Sequence, residues 1–561
     1  MNPAPAKAAL NFKAVILALA ALLLLACFTT ELADSDAYWH LATGKYIVQQ
    51  RTLPVPDPFS FTTYINPARP GEETVRNFNL THEWLYQVFM YLAYAGGGYG
   101  GVILLRALLM AACAFGAGLW TWRRTQGFYR AMGAAAVTAL MASFFNSDRP
   151  YQLTYFLIVA VILILEYRRF LWLLPPIFLI WANAHGGFLM GFVVLGAYGA
   201  EALWLRVQRK PLADERRFWS VTAACFVGAF LNPNGFQALW VLLAYRASAM
   251  QSGLYEWQKP DLASPSFLNL LLLAAVATLV WNRRRARVSE WLLLVLFGAA
   301  YLTGVRNSPL LSLVAPALIA IYFPWQRLLP KWTDYAVAAL LLAAIATPIV
   351  RGQAFQFRSA EWKYPSGAAT FLLSHHIDAP LFNTYEKGGY LIWRLWPNGK
   401  SFIDGRALSE DVYADYQQIS TYSGAARALL DKYKIQAIVI DSFDLYNGTP
   451  YVLPLALADP GEKEWKMVFT DAGATVFLRH PPADLPVLAP MQIFAGMEAQ
   501  CQAALDNETR LPRCARSLGH LFARLGDAAK ARRWMSLYLQ RRQDHNPADD
   551  DFLRGLPGGK P

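Results

Sequence analysis

Charge is scarce in this chain. Only 16% of its 561 residues are Asp, Glu, Lys or Arg, against 55% hydrophobic and 14% aromatic, a balance outside soluble globular usage and inside that of membrane proteins. Cysteine is scarcer still. Of five, Cys27, Cys113 and Cys225 fall in apolar runs and only Cys501 and Cys514 in a polar stretch. That excludes a cysteine metal framework and leaves one pair able to form a disulfide in an oxidising compartment. No glycine loop followed by Lys-Ser or Lys-Thr is present, and no metalloprotease or nucleophile-elbow motif, so ATP-driven transport has no support. The net charge of +12 is no nucleic-acid footprint, because the Lys and Arg residues form short clusters between apolar runs. That pattern encodes membrane topology.

The first apolar run, 14 to 29, follows Lys7 and Lys13 and reads as an uncleaved helix rather than a signal peptide. Further runs at 99–121, 131–146, 152–166, 169–182, 187–206, 218–231, 265–282, 291–305, 308–325 and 334–350 bring the expected total to about eleven transmembrane helices. With the amino terminus inside, the cationic connections all face the cytoplasm: Arg123, Arg124 and Arg130; Arg168 and Arg169; Arg206, Arg209, Lys210, Arg216 and Arg217; Arg283, Arg284, Arg285 and Arg287; Arg327 and Lys331. The assignment requires 81–96 and 236–250 to lie in the interface rather than span. An odd number of spans places everything after about residue 350 outside, which for a bacterial inner membrane is the periplasm.

The expected architecture is therefore a polytopic α-helical domain over 1–350, with 31–98 a large outer loop carrying interfacial helices. A small α/β domain over 351–480 follows, then a helical segment over 490–545, and a tail without structure over 546–561. Within the helical segment, SLGHLFARLGDAAKARRWMSLYLQ looks like one helix pair of a tetratricopeptide repeat. It is a candidate docking segment for an envelope partner.

The sharp polar motifs of the membrane half gather in the outer loops: ELADSDAYWH (31–40), THEWL (81–85), NSDRP (146–150), NAHGG (183–187), NPNG (232–235) and VRNS (305–308). Side chains of these types beside helix ends suit a site at the membrane surface. Asp34 and Asp36 sit a few residues past the first span. Either carboxylate could act as a general base, the two could hold a divalent cation, or either could cap the helix that follows. His40 lies one turn beyond Asp36 and shares its face. His82 and Glu83 open an interfacial helix, where a glutamate is also favoured by the helix dipole. Arg149, His185 and Arg306 are cationic, or can become so, at outer helix ends; they could bind a phosphate or simply snorkel. Asp57, among Pro54, Pro56 and Pro58, reads as a turn residue.

These features resemble the GT-C class of integral-membrane glycosyltransferases, which includes protein O-mannosyltransferases, the aminoarabinose transferases of lipid A and the oligosaccharyltransferases. The matching traits are an inside amino terminus, an acidic first outer loop, interfacial helices, many spans and an outer carboxyl-terminal domain. DSDAYWHLATG, DPFSFT, HEWL, NAHGGF, NPNG and FIDGR (402–406) look like the wording of a bacterial branch. One departure is THEWL where the better-known branch carries Pro-Pro-Leu. The resemblance implies a glycosyltransferase using a polyprenyl-phosphate-linked sugar and a glycan, lipid or protein acceptor. It places the catalytic carboxylate at Asp36 or Asp34, Asp36 being favoured, with Arg149 or Arg306 steadying the departing phosphate. The rival readings are a lipid-linked-sugar flippase, which would place polar groups inside the spans, and an envelope scaffold using 490–545.

Overall fold

The computed structural model describes residues 12–244, 257–323, 330, 332–444, 447–507, 513–542 and 546–557. Lys7, Arg246, Arg327, Lys331 and the 245–250 part of the second interfacial segment lie outside them. The chain forms two compact units: residues 1–34, 43–53 and 80–359, and residues 35–42, 54–79 and 360–561. The division differs from a simple cut near 350, because two pieces of the first outer loop fold with the carboxyl-terminal unit. Each unit is described by itself.

In the first unit each of the eleven apolar runs coincides with a helix. Among the described residues, four helical stretches are long and apolar enough to cross a membrane: Glu72–Thr125, Phe188–Val207, Val305–Tyr322 and Trp332–Val350. Five more apolar helices have 10–17 residues; 16 residues rise only about 24 Å, less than a hydrocarbon core of about 30 Å. The helix Trp84–Thr125 is broken at Gly97 and Gly98, the latter at φ 57° and ψ −150°, a conformation essentially restricted to glycine. A Cβ on Gly101 would lie 2.0 Å from the Ala93 carbonyl oxygen, so the two halves pack across the break. This is how 84–96 separates from the span that follows.

Buried charge in this unit is paired. Arg287 meets Glu166, and lies 3.8 Å from Glu201 and 3.6 Å from Glu290. Arg124 also pairs with Glu290, while the Tyr198 hydroxyl donates to Glu166 at 2.6 Å and the Tyr322 hydroxyl to Glu290 at 2.5 Å. Such a network ties the ends of several helices, and pairing is what makes ions tolerable out of water. Arg106 lies inside the apolar run 99–121. It donates to Asp148 at 2.7 Å and to the carbonyls of Phe28 and Thr30.

The carboxyl-terminal unit holds a four-stranded mixed sheet, β1 (Leu381–Asn383), β2 (Ala437–Ile440), β3 (Trp465–Thr470) and β4 (Thr475–Arg479), in the order β1-β2-β4-β3. β1 and β2 run parallel, with Leu381 opposite Ala437; β2 with β4 and β3 with β4 are antiparallel. The buried runs LFN and AIVI have no polar alternation, as expected of strands covered on both faces. Helices follow. Arg513–Arg524 and Ala528–Arg541 pack against each other, and a Cys501–Cys514 disulfide joins Arg513–Arg524 to Gln492–Asn507. The segment expected to lack structure carries a helix, Pro547–Gly555, because Asn546 caps its first turn and Asp549 pairs with Arg516 at 2.8 Å.

One buried ionic network organises this unit. The Arg406 guanidinium donates to both oxygens of Asp57 at 2.6 and 3.2 Å, to both oxygens of Asp404 at 2.7 and 2.8 Å, and to Ser60 Oγ at 3.0 Å. Asp57 also accepts from the Phe59 and Ser60 amides and from the Thr63 hydroxyl. It is thus a turn residue, as its prolines suggest, and also the buried counter-ion of Arg406. Backbone bonds reinforce the join: Ser401 N to Phe59 O at 3.0 Å and Phe61 N to Ser401 O at 3.3 Å. Replacing Arg406 by Leu should strand two buried carboxylates and destabilise the unit by about 3–5 kcal/mol. Thermal unfolding of the full chain in detergent checks this; an unchanged midpoint would show that the network contributes nothing.

Candidate functional site

The motifs of the first unit converge in pairs. The Asn234 amide donates to Thr81 Oγ1 at 3.0 Å, joining NPNG to THEWL. Trp84 Nε1 donates to Asn183 Oδ1 at 2.9 Å, joining THEWL to NAHGG. Between these contacts lie His82 and His185, whose Nε2 atoms are 3.2 and 3.6 Å from Glu83 Oε1. The Gly187 amide donates to His185 Nδ1 at 3.0 Å, and Thr154 Oγ1 lies 2.7 Å from the same nitrogen. Because Nδ1 is an acceptor, the proton of the neutral ring is on Nε2, facing Glu83. The Trp181 indole N–H donates to Thr154 at 2.8 Å, which fixes the hydroxyl's own donation toward the ring. Burial pushes His185 down to about 4, with His82 and Arg306 adding to the fall and Glu83 opposing it. His185 is therefore a neutral hydrogen-bond donor at ordinary pH.

Two further site candidates of this unit are matched with partners. Arg149 Nε donates to Asp34 Oδ2 at 2.6 Å, and the Arg306 guanidinium lies 4.8 Å from the Trp257 ring centroid. Next to Arg149, burial raises Asp148 to about 6 against the pull of Arg106, with Asp34 adding to the rise. The Arg106–Asp148 pair is the feature that composition hides. The sequence signal was a lone arginine in an apolar run, where an unpaired charge would be prohibitive.

Asp36 and His40 belong to the carboxyl-terminal unit. Asp36 is the first residue of the helix Asp36–Gln50, and His40 is buried with its ring 3.6 Å from that of Trp39. A Cβ placed on Gly405 would stand 2.2 Å from Asp36 Oδ1 and 3.3 Å from Trp39 Nε1. Only glycine at that position of FIDGR leaves room for the carboxylate. Beside Gly405, burial alone would raise Asp404, but Arg406 and the Ser60 hydroxyl hold it below the usual carboxylate range.

A residue that the sequence did not single out joins Asp36 here. Glu386, in the first turn of the helix Tyr385–Leu395, is raised from its usual 4.5 to about 8 by burial, then by Asp441 and Asp444; Lys387 opposes and Asp36 adds to the rise. The carboxyl is thus neutral where Asp441, bonded by Thr384 Oγ1 at 2.6 Å and 3.6 Å from Lys387 Nζ, has its charge compensated. Among the described residues no three His, Cys, Asp or Glu side chains are arranged to hold a metal ion, and Asp34 is already engaged by Arg149. The residues present do not fit a divalent cation held by Asp34 and Asp36.

No protein-family model matches the chain, and no curated protein matches it. Solved structures do. The archaeal oligosaccharyltransferase AglB from Archaeoglobus fulgidus, in complex with an inhibitory peptide and a dolichol-phosphate, aligns over 94% of this chain and 86% of its own at a TM-score of 0.53 and 12% identity. The apo form of the Archaeoglobus fulgidus oligosaccharyltransferase aligns over the same shares at 0.53 and 11%. The chain shares the fold of this enzyme.

The raised Glu386 sets a pH dependence with a definite sign. Unfolded, this carboxyl ionises near 4.5; folded, near 8. The folded chain therefore keeps a proton that the unfolded chain has lost, and stability falls as pH rises between those values. Glu386→Gln should melt with wild type at about pH 4 and above it at about pH 9. Parallel melting curves at both pH values would contradict the buried neutral acid.

Proposed function

We propose that this protein is a membrane glycosyltransferase that moves a sugar from a polyprenyl-phosphate carrier to an acceptor hydroxyl at the periplasmic face of a bacterial inner membrane. The observation that carries the reading is the fold shared with a membrane oligosaccharyltransferase over 94% of the chain. That relative is described in complex with a dolichol-phosphate and a peptide, and the likeness is the reason to expect a lipid-linked donor here. The arginine-rich connections support the sidedness. With the first loop on the outer face, a nucleotide sugar would be on the wrong side of the membrane, whereas a polyprenyl-phosphate sugar can be presented there.

Asp36 is the proposed base. Its carboxylate would take the proton of the acceptor hydroxyl as that oxygen bonds to the anomeric carbon. The bond from that carbon to the phosphate oxygen breaks, the configuration inverts and polyprenyl phosphate leaves. Arg306, stacked on Trp257, and Arg149, oriented by Asp34, are the proposed cations for the leaving phosphate. Glu83, held between His82 and His185, is proposed to bind substrate rather than to exchange protons, since His185 is fixed in one tautomer.

Asp36→Asn keeps the shape of the side chain and removes the base. Transfer should fall by about 10²–10⁴-fold while membrane abundance is unchanged, and the lipid-linked sugar donor should accumulate in extracts of cells relying on the variant. An Asn variant that transfers at the wild-type rate would remove the base assignment.

A further inference from the structure

In the carboxyl-terminal unit the helix Ser366–Ser374 packs on β3. Beside it lies a groove of about 550 Å³, open to solvent, and none of the residues proposed for transfer lines it. That volume falls within the range of about 300–1,000 Å³ usual for small-molecule sites. Ser366, Thr370 and Ser374 line the groove four residues apart, so their hydroxyls stand in a row on one helix face. Phe371 and Phe469, with ring centroids 5.3 Å apart, supply its apolar part. A Cβ on Gly367 would lie 2.9 Å from Phe469 Cζ and 2.1 Å from Asp471 Oδ2. Glycine there lets the ring and the carboxylate come up against the helix.

Two charged side chains of opposite sign complete the lining. Glu361 is exposed on the turn Glu361–Lys363, and Arg394 comes from the helix Tyr385–Leu395. Arg394 is held in place, donating to the Tyr390 hydroxyl at 2.8 Å and to Thr370 Oγ1 at 3.1 Å. A guanidinium has more N–H donors than these two bonds occupy. The Thr370 hydroxyl donates to the Ser366 carbonyl at 2.9 Å and the Ser374 hydroxyl to the Phe371 carbonyl at 3.0 Å, so both oxygens remain able to accept.

This composition selects among ligands. An anion would meet Glu361 and the nearby Asp471, and a cation would meet Arg394. An extended peptide pairs with a strand edge or sets its side chains in pockets, whereas the polar lining here is side chains of helices and a turn along an open groove. A ring that carries several hydroxyls and no charge satisfies every part. Its hydroxyls can accept from Arg394 and donate to Glu361 and to the serine and threonine oxygens, while its C–H face lies on the negative faces of the aromatic rings.

We propose that this groove binds an uncharged oligosaccharide, with Arg394 and Glu361 fixing its hydroxyls and Phe371 and Phe469 carrying its apolar face. The site goes beyond the transfer reading and stands without it, because its residues hold a glycan and take no part in making or breaking a bond.

The test passes the full chain in detergent over immobilised neutral oligosaccharides of glucose, galactose, mannose and N-acetylglucosamine, with oligogalacturonate and an unstructured peptide as the other probes. At least one neutral probe should be retained. Arg394→Leu and Glu361→Ala should each weaken that retention by about tenfold or more at an unchanged thermal midpoint, and Asp36→Asn should bind as wild type. Failure to retain any neutral probe overturns the site, as does retention of oligogalacturonate or peptide alone, or wild-type affinity in both variants. None of these results touches the transfer reading, which Asp36→Asn tests by turnover. Should Arg394→Leu not fold, Glu361→Ala decides alone, weakened retention supporting the site and wild-type retention overturning it.

Discussion

The carboxyl-terminal unit depends on a buried arginine bonded to two carboxylates. Arg406 spans Asp57, in the first loop, and Asp404, and the partners Arg406 and Asp57 are 349 positions apart in the chain. Burial opposes the charge of the guanidinium, and Asp404 and Asp57 more than restore it. A fully satisfied ionic cluster is a weak source of net stability but a strict condition on geometry, since losing any member leaves the others charged and unpaired. The condition matters because Gly405 lies between Asp404 and Arg406. Fixing those two side chains fixes the bare backbone beside the Asp36 carboxylate. The placement of the proposed base is thus set by a network that it does not belong to.

The first unit uses hydrogen-bond direction in the same way. The Gly187 amide can only donate, so His185 Nδ1 accepts, and the Thr154 hydroxyl, which accepts from Trp181, turns its proton to the same nitrogen. The result is a histidine that presents N–H to Glu83 without a positive charge. Of the three outer residues read as cationic or able to become so, His185 is held neutral chiefly by burial.

Hydrophobic runs were legible because their length and composition declare them. The polar motifs announced themselves by residue type, so Asp36, Glu83, His82 and His185 could be chosen as candidates. Their pairing could not. Thr81 finds Asn234 and Trp84 finds Asn183 only after several helices have packed, and no local periodicity encodes that. Asp57 read as a turn because its prolines explain it locally. Glu386 stayed hidden for a similar reason, since a glutamate in the first turn of a helix is favoured by the dipole. The available signal was Gly388-Gly389, a pair that costs the helix propensity and so asks for a close approach. Arg106 carries no local sign of its partner, because its compensation by Asp148 is tertiary.

Charge decides what each unit can receive. In the unit that holds Asp36, Arg406 is bonded to Asp57 and Asp404, and Lys387 faces Asp441. Glu386 keeps its proton there first because it is buried and then because Asp441 and Asp444 are near. In the first unit Arg149 and Arg306 stand at helix ends, with Asp34 and the Trp257 ring orienting them. The unit that holds Asp36 is thus rich in carboxyls, and the oriented arginines Arg149 and Arg306 belong to the other unit.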